Sequence, residues 1–171
     1  MSLNFLKETS KKLVFKDVTE YLHKQNLKID KQDDTRPWGG FFVLDEIFAE
    51  KFIALYFSHL TKDALNISGK LSPKILVVAP GKRLSWQYHH RRAEIWKLIG
   101  GTAGVITSDT DDEKETTTLF VGDIIQLKQG ERHRLIGLDS WGIVAEIWRH
   151  TDIKNPSDEE DIVRVQDDFG R

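Results

Sequence analysis

Between residues 40 and 148 the chain is a succession of short β-like runs set off by Gly, Pro and charged turns: Gly40 to Leu44, Lys74 to Val78, Leu84 to Tyr88, Ile95 to Ile99, Thr102 to Thr107, Thr116 to Val121, Asp123 to Leu127, His133 to Leu138 and Gly142 to Trp148. Strands this short bury their apolar face only by stacking sheet on sheet, so the expected fold class is all-β, a sandwich or barrel. Lys16 to Leu27 departs from this pattern. Val18, Tyr21, Leu22 and Leu27 fall near helical spacing there, with Asp17 or Thr19 available as a cap, which predicts a short amphipathic helix appended to the barrel. The polar run Lys28 to Arg36 then breaks all periodicity before Pro37. The expected division is residues 1–34 as an N-terminal helical extension and 35–171 as the main domain. Asp45 to Leu65 reads either way: Ile47, Phe48, Phe52, Leu55 and Tyr56 suit a helix, favoured at its start, while Phe52 to Phe57 also reads as a buried strand. The acidic runs Asp109 to Glu115 and Asp158 to Asp161 read as a solvated hairpin tip and a solvated turn.

Charge removes some classes of partner. With 25 Lys+Arg against 27 Asp+Glu the formal charge is −2, which argues against a general binder of nucleic acid or anionic membrane. No uncharged apolar run approaches the roughly 20 residues that span a bilayer, and Met1 to Val14 lacks the apolar stretch of a secretory signal. A cytoplasmic chain is expected. It contains no cysteine, so any metal must be held by His, Asp, Glu, Asn or Gln.

The string Gln87-Tyr88-His89-His90-Arg91-Arg92-Ala93-Glu94 is where such donors gather. Side chains two apart on a strand share a face, so Gln87 and His89 point one way. A turn at Arg91 and Arg92 would return Glu94 beside them on a neighbouring strand. Gly122 and Gly130 frame a further strand and tight turn that would present His133 inward. Two imidazoles, a carboxylate and an amide oxygen with open positions suit one divalent ion, Zn²⁺ first, with Mn²⁺, Fe²⁺, Co²⁺ or Ni²⁺ as alternatives. His90 falls on the opposite strand face. The tryptophans read as core or barrel wall, with Trp38 or Trp86 able to line a mouth.

Gln87, His89, Glu94 and Gly101, followed by Gly122, Gly130 and His133, resemble the two ordered motifs of the cupin superfamily, with Gln87 where a histidine usually stands, Lys128 for proline and Gly137 for asparagine. A narrower resemblance covers the glutamine too. The run from Pro80 through Arg83-Leu84-Ser85 and Gln87 to Glu94-Ile95-Trp96 is similar to the signature of type II phosphomannose isomerases; Arg36-Pro37-Trp38-Gly39 resembles their opening motif, and Asp161-Ile162-Val163-Arg164 through Gly170-Arg171 their close. Trp86, Arg91, Ile95, Lys128 and Phe169 depart from that signature. The resemblance takes in roughly residues 36–45 and 72–171, leaving 47–71 outside it.

The resemblance implies a cupin double-stranded β-helix, or jelly-roll barrel, over 35–171, with metal ligands Gln87, His89, Glu94 and His133. It implies interconversion of mannose 6-phosphate and fructose 6-phosphate through a cis-enediol, and a homodimer. Only the isomerase half of the longer, two-activity members is expected, since no Gly-rich nucleotide loop is present. Arg83 is the first arginine expected to serve the catalytic centre, its even spacing from Gln87 placing it on the same face, and Arg164 the second, with Glu94. Arg36, Lys82, Arg92 and Arg171 are the further cations expected on a sugar phosphate, because a guanidinium fork matches phosphate oxygens. The proton-transfer base is open between His90, His133 and Asp161. Rival expectations are an isomerase or epimerase of a free sugar such as D-lyxose, and a non-catalytic sugar- or metal-binding cupin.

Overall fold

The structure, a computed structural model, describes residues 3–65 and 70–170. Two antiparallel sheets carry the chain. The larger has the order β1 (Ile29–Asp33), β2 (Gly39–Leu44), β3 (Lys74–Val78), β10 (Gly142–His150), β5 (Arg92–Gly100), β8 (Ile124–Leu127). The smaller runs β11 (Val163–Gln166), β4 (Trp86–Tyr88), β9 (Arg132–Gly137), β6 (Ala103–Ser108), β7 (Thr117–Leu119). They stack face to face as the cupin-type barrel, around an interior of Leu76, Val78, Trp96, Leu98, Val105, Leu135 and Val144.

The helix is part of the core, not an appendage. α1 (Lys11–Lys24) turns Val14, Phe15, Val18 and Leu22 onto the outer face of the larger sheet, where α2 (Ala49–Tyr56) adds Phe52 and Ile53 against Ile75, Ile143 and Ile147. It begins earlier than Asp17 or Thr19 would start it. Ser10 is the cap, its Oγ accepting from the Leu13 amide, while the Thr19 hydroxyl donates to the Phe15 carbonyl. Asp45 to Leu65 resolves as helix: a 3-10 turn at Glu46–Phe48, then α2 and α3 (Lys62–Leu65).

Two strands escape the sequence pattern. β1 lies inside the polar run 28–36 and pairs with β2, so that run joins the sheet instead of breaking from it. β11 edges the smaller sheet against β4. Both sit at sheet edges and bury little of themselves, so alternation is absent; their partners' backbone groups recruit them. Gly39 shows why the opening motif ends in glycine. Its φ is +139°, and a Cβ there would stand 1.9 Å from the Val77 carbonyl oxygen.

Candidate metal centre

The two histidines come from one sheet and the carboxylate from the other. β4 does not pair with β5, so the expectation that Glu94 returns on a neighbouring strand is corrected: the chain crosses between the sheets after His89, and the donors converge across the barrel. His89 and His133 are joined on the smaller sheet through the Gly130 amide, which donates to the His89 carbonyl at 2.9 Å. Gly130 has φ +76°, the left-handed turn that starts β9 and brings His133 inward. Gln87 lies directly opposite His133 and Arg164 in the ladder, so all three share the interior face.

One donor atom from each of His89, Glu94 and His133 lies within 4.8 Å of the others, and all three residues are buried. His89 Nε2 is 3.2 Å from Glu94 Oε1, and His133 Nε2 is 3.5 Å from Glu94 Oε2. Each ring is fixed from behind: His89 Nδ1 lies 2.5 Å from the Asp161 carbonyl oxygen, and His133 Nδ1 lies 2.9 Å from that of Glu131. A carbonyl only accepts, so Nδ1 carries the hydrogen in both rings and each Nε2 turns a lone pair inward. His133 Nε2 is buried with no hydrogen-bond partner among the described residues. An orphaned lone pair beside a second imidazole and a carboxylate fits a divalent cation. Burial pushes the His89 imidazole down, toward the neutral form a ligand needs. Burial would push the Glu94 carboxyl up, but the positive charge around it, with the Arg92 guanidinium donating at 2.7 Å, holds it well below the usual range, so it is an anion. Together the three form a group able to hold a metal. Gln87 faces the same space, with its Oε1 accepting from the Ser85 hydroxyl at 2.6 Å.

Arg92 is built into this centre. Its Nε donates to Glu94 Oε1 at 2.7 Å, its Nη2 lies 3.2 Å from His89 Nε2, and its guanidinium stacks 3.6 Å from the Trp148 ring centroid. Ser157 Oγ and the carbonyls of Asp158 and Asp161 take Nη1. Expected on a sugar phosphate, it instead spends its donors on the protein and would yield only the His89 contact to a cation.

The acidic turn expected at 158–161 is a structural clamp. Asp161 is buried; its carboxylate accepts from the His90 and Arg91 amides, both at 3.0 Å, and from Ser157 Oγ at 2.6 Å, while its carbonyl orients His89. That engagement also removes Asp161 as a proton-transfer base. His90 is exposed, edge-on to Tyr88, and leaves the site.

Arg83 does not share the face of Gln87, which corrects the even-spacing argument. Arg83 bridges Ile136 while Gln87 faces His133, so four steps along one chain match three along the other. The extra residue is a bulge that inverts the alternation. It puts Arg83 on the outer face of the smaller sheet, where Asp168 takes it at 2.7 and 2.8 Å. Arg134, buried beside it, reaches Glu113 at 2.6 Å, and the Trp86 indole donates to the Asp111 carbonyl. The loop 109–115 is thereby tied down over Trp86, which lies away from the mouth. Lys82 is exposed on a turn and lies apart from the cavity lining; Arg171 falls outside the described residues.

A cavity of about 210 Å³ opens over the centre. Gln87, Arg92 and Glu94 line it, with Trp38, Trp96 and Trp148 as walls, and Lys31, Arg36, Lys74 and Arg164 as further cations. Arg36, whose Nε donates to Asp33 at 2.8 Å, and Arg164 thus both reach the cavity. Lys74 and Glu146 were missed, and their signal was a lone charge in each of two otherwise apolar runs. They face each other across β3 and β10. Lys74 pairs with Glu159. Glu146 accepts from the Trp96 indole at 2.9 Å and the Trp148 indole at 2.8 Å.

Burial, reinforced by the charge of Glu94, pushes the Glu146 carboxyl up to about 7 from an ordinary 4.5. A raised carboxyl binds its proton more tightly when folded. Its stability contribution is therefore full below about 4.5 and lost as pH rises toward 7, with a slope of about 1.4 kcal/mol per pH unit. His89 and His150, pushed down by burial, act in the opposite sense, so the clean readout is a difference. In urea unfolding of metal-free protein, Glu146→Gln is expected to gain stability relative to wild type as pH rises from about 4.5 to 7.

Among the described residues no helix is long and apolar enough to cross a membrane. The family described as mannose-6-phosphate isomerase C-terminal matches residues 48–167, taking in the 48–71 stretch that the motif resemblance left out. The chain is 32% identical over 141 residues to the alginate biosynthesis protein AlgA of Pseudomonas aeruginosa, covering 80% of this chain and 22% of that protein. It is 32% identical over the same length to the xanthan biosynthesis protein XanB of Xanthomonas campestris, covering 80% and 23%. The mannose-1-phosphate guanylyltransferase ManC of Salmonella typhimurium is 30% identical over 116 residues, covering 64% and 21%. The chain thus spans under a quarter of the length of these relatives. Among solved structures, the capsular polysaccharide assembling protein CapF of Staphylococcus aureus superposes with a TM-score of 0.52 at 13% identity, over 78% of this chain and 31% of that one. Tomato vicilin gives 0.52 at 17%, over 81% and 35%; both likenesses concern the fold alone. With a family match across most of the barrel and the donors of both motifs meeting inside it, the chain belongs to the mannose-6-phosphate isomerase C-terminal family, a cupin-type domain.

Proposed function

We propose that the chain is a metal-dependent aldose–ketose isomerase that interconverts mannose 6-phosphate and fructose 6-phosphate. One observation carries the reading: an orphaned imidazole nitrogen, a second imidazole and a buried carboxylate meet beneath a small cavity ringed by cations. His89, Glu94 and His133 would hold the ion, with Gln87 as a fourth donor and Zn²⁺ as the first choice. When bound, the ion supplies a Lewis acid that polarises the sugar carbonyl or hydroxyl and stabilises a developing enediolate.

The chain's own groups do the rest. Arg36 and Arg164 at the mouth, with Lys31 beside them, bind the phosphate end of an open-chain sugar, and Lys74 adds charge deeper in. Trp38, Trp96 and Trp148 exclude water from the reacting end, and Arg92 holds the Glu94 carboxylate in place. A sugar phosphate is a charged metabolite of the cell interior, so the reading carries a cytoplasmic location with it.

The test pairs substrates on one preparation. Mannose 6-phosphate is expected to be turned over with a kcat/KM at least about 100-fold above that for mannose or D-lyxose, because two charge-assisted guanidinium contacts are worth about 1.5–3 kcal/mol each. Arg164→Ala should narrow that gap. Equal or better turnover of the free sugars would replace this reading by the free-sugar one.

A further inference from the structure

An aldose–ketose isomerase must carry a proton between neighbouring carbons, and Asp161, His90 and His133 are each unsuited to it. Asp161 is closed off by three donors, His90 is exposed outside the site, and His133 turns its lone pair to Glu94. The geometry points to Glu146 as the catalytic residue that carries this proton, an assignment that rests on the isomerase reading.

Glu146 stands in the middle of β10, its side chain buried and facing the cavity that Glu94, Gln87 and Arg164 also line. A carboxylate interrupting the run Ile143-Val144-Ala145 and Ile147-Trp148 is costly to keep for structure alone. Among the described residues neither oxygen is ion-paired. Each accepts one indole N–H, from Trp96 and from Trp148, which fixes the plane of the carboxylate and leaves a further lone pair on each oxygen.

Register sets its distance from the metal donors. Glu146 is opposite Trp96 and Glu94 is opposite Trp148, so the two carboxylates are diagonal neighbours on one face of adjacent strands, about 7–8 Å apart at the backbone. A sugar whose carbonyl end lies over His89, Glu94 and His133 thereby has its neighbouring C–H within reach of Glu146. In the step from aldose to ketose, the C2 proton passes to a Glu146 oxygen. The C–H electron pair forms the C1–C2 double bond while the carbonyl π pair moves to O1. The carboxyl then returns the proton to C1, and the O2 hydroxyl proton passes to O1, leaving the carbonyl at C2. No electron acceptor or co-reactant is needed.

The experiment uses the full chain loaded with Zn²⁺, or with whichever of Mn²⁺, Co²⁺ or Ni²⁺ supports turnover, and mannose 6-phosphate deuterated at C2. Glu146→Gln is expected to lower kcat at least about 100-fold, to suppress loss of the deuterium to solvent by NMR to the same degree, and to leave bound metal and KM within about threefold. A variant that keeps kcat within tenfold of wild type overturns the assignment. So does a loss of kcat matched by loss of bound metal, which would make Glu146 a support of the metal centre. If Glu146→Gln does not fold, Glu146→Asp is judged by the same readouts, since withdrawing the carboxylate by one methylene should lower kcat with metal content unchanged. Wild-type protein that leaves both sugar and label untouched would overturn the isomerase reading itself, an outcome distinct from an active Glu146→Gln.

Discussion

Glu94→Ala is expected to abolish metal binding and also to destabilise the metal-free chain by about 3–5 kcal/mol. The second effect separates this site from a surface cluster of acids and histidines. Glu94 is the buried counter-charge of Arg92, whose guanidinium is nearly as buried and is pinned by Ser157, Asp158, Asp161 and the Trp148 ring. Removing the carboxylate strands a buried cation that the fold cannot release to water. Urea unfolding of metal-stripped protein reads the loss directly. A metal-free stability within about 1 kcal/mol of wild type would show that the pair is not held as described.

Asp161→Ala is expected to lower metal affinity about 10- to 100-fold although Asp161 touches no metal position. Its carboxylate fastens the turn 90–91 through two amides, and its carbonyl sets the tautomer and tilt of His89. Without the carboxylate the segment 157–161 loses its grip, the His89 ring loses its backing, and Arg92 loses its Nη1 partners together. Lost hydrogen bonds to the charged group add about 2–3 kcal/mol of destabilisation. Competitive metal titration against a chromophoric chelator, beside thermal unfolding, separates the two effects. Unchanged affinity in a destabilised variant would reduce the clamp to a structural role.

What could be read in the sequence follows from what leaves a local trace. β3 and β10 alternate or run apolar between turns, so their positions are legible; His89, Glu94, Gly130 and His133 are legible because ligand and turn spacing is a one-dimensional signal. β1 and β11 are recruited to sheet edges by their partners, and polar edge strands leave no alternation to read. Arg83 escapes an alternation argument because that argument assumes an unbroken ladder, and the bulge between it and Gln87 cannot be seen without the partner strand. The clamp role of Asp161 and the aim of Glu146 depend on contacts from residues far along the chain. In the sequence the first resembles a solvated acidic turn, and the second is one acid in an apolar strand.

The most direct test strips the protein of metal, adds back Zn²⁺, Mn²⁺, Co²⁺, Ni²⁺ or Fe²⁺, and follows fructose 6-phosphate formed from mannose 6-phosphate together with bound metal per chain, with His133→Ala alongside. Turnover is expected to rise in proportion to occupancy, to saturate at one ion per chain and to be absent in His133→Ala. Turnover indifferent to metal, or one bound ion per chain with no turnover of any sugar phosphate, would contradict that expectation.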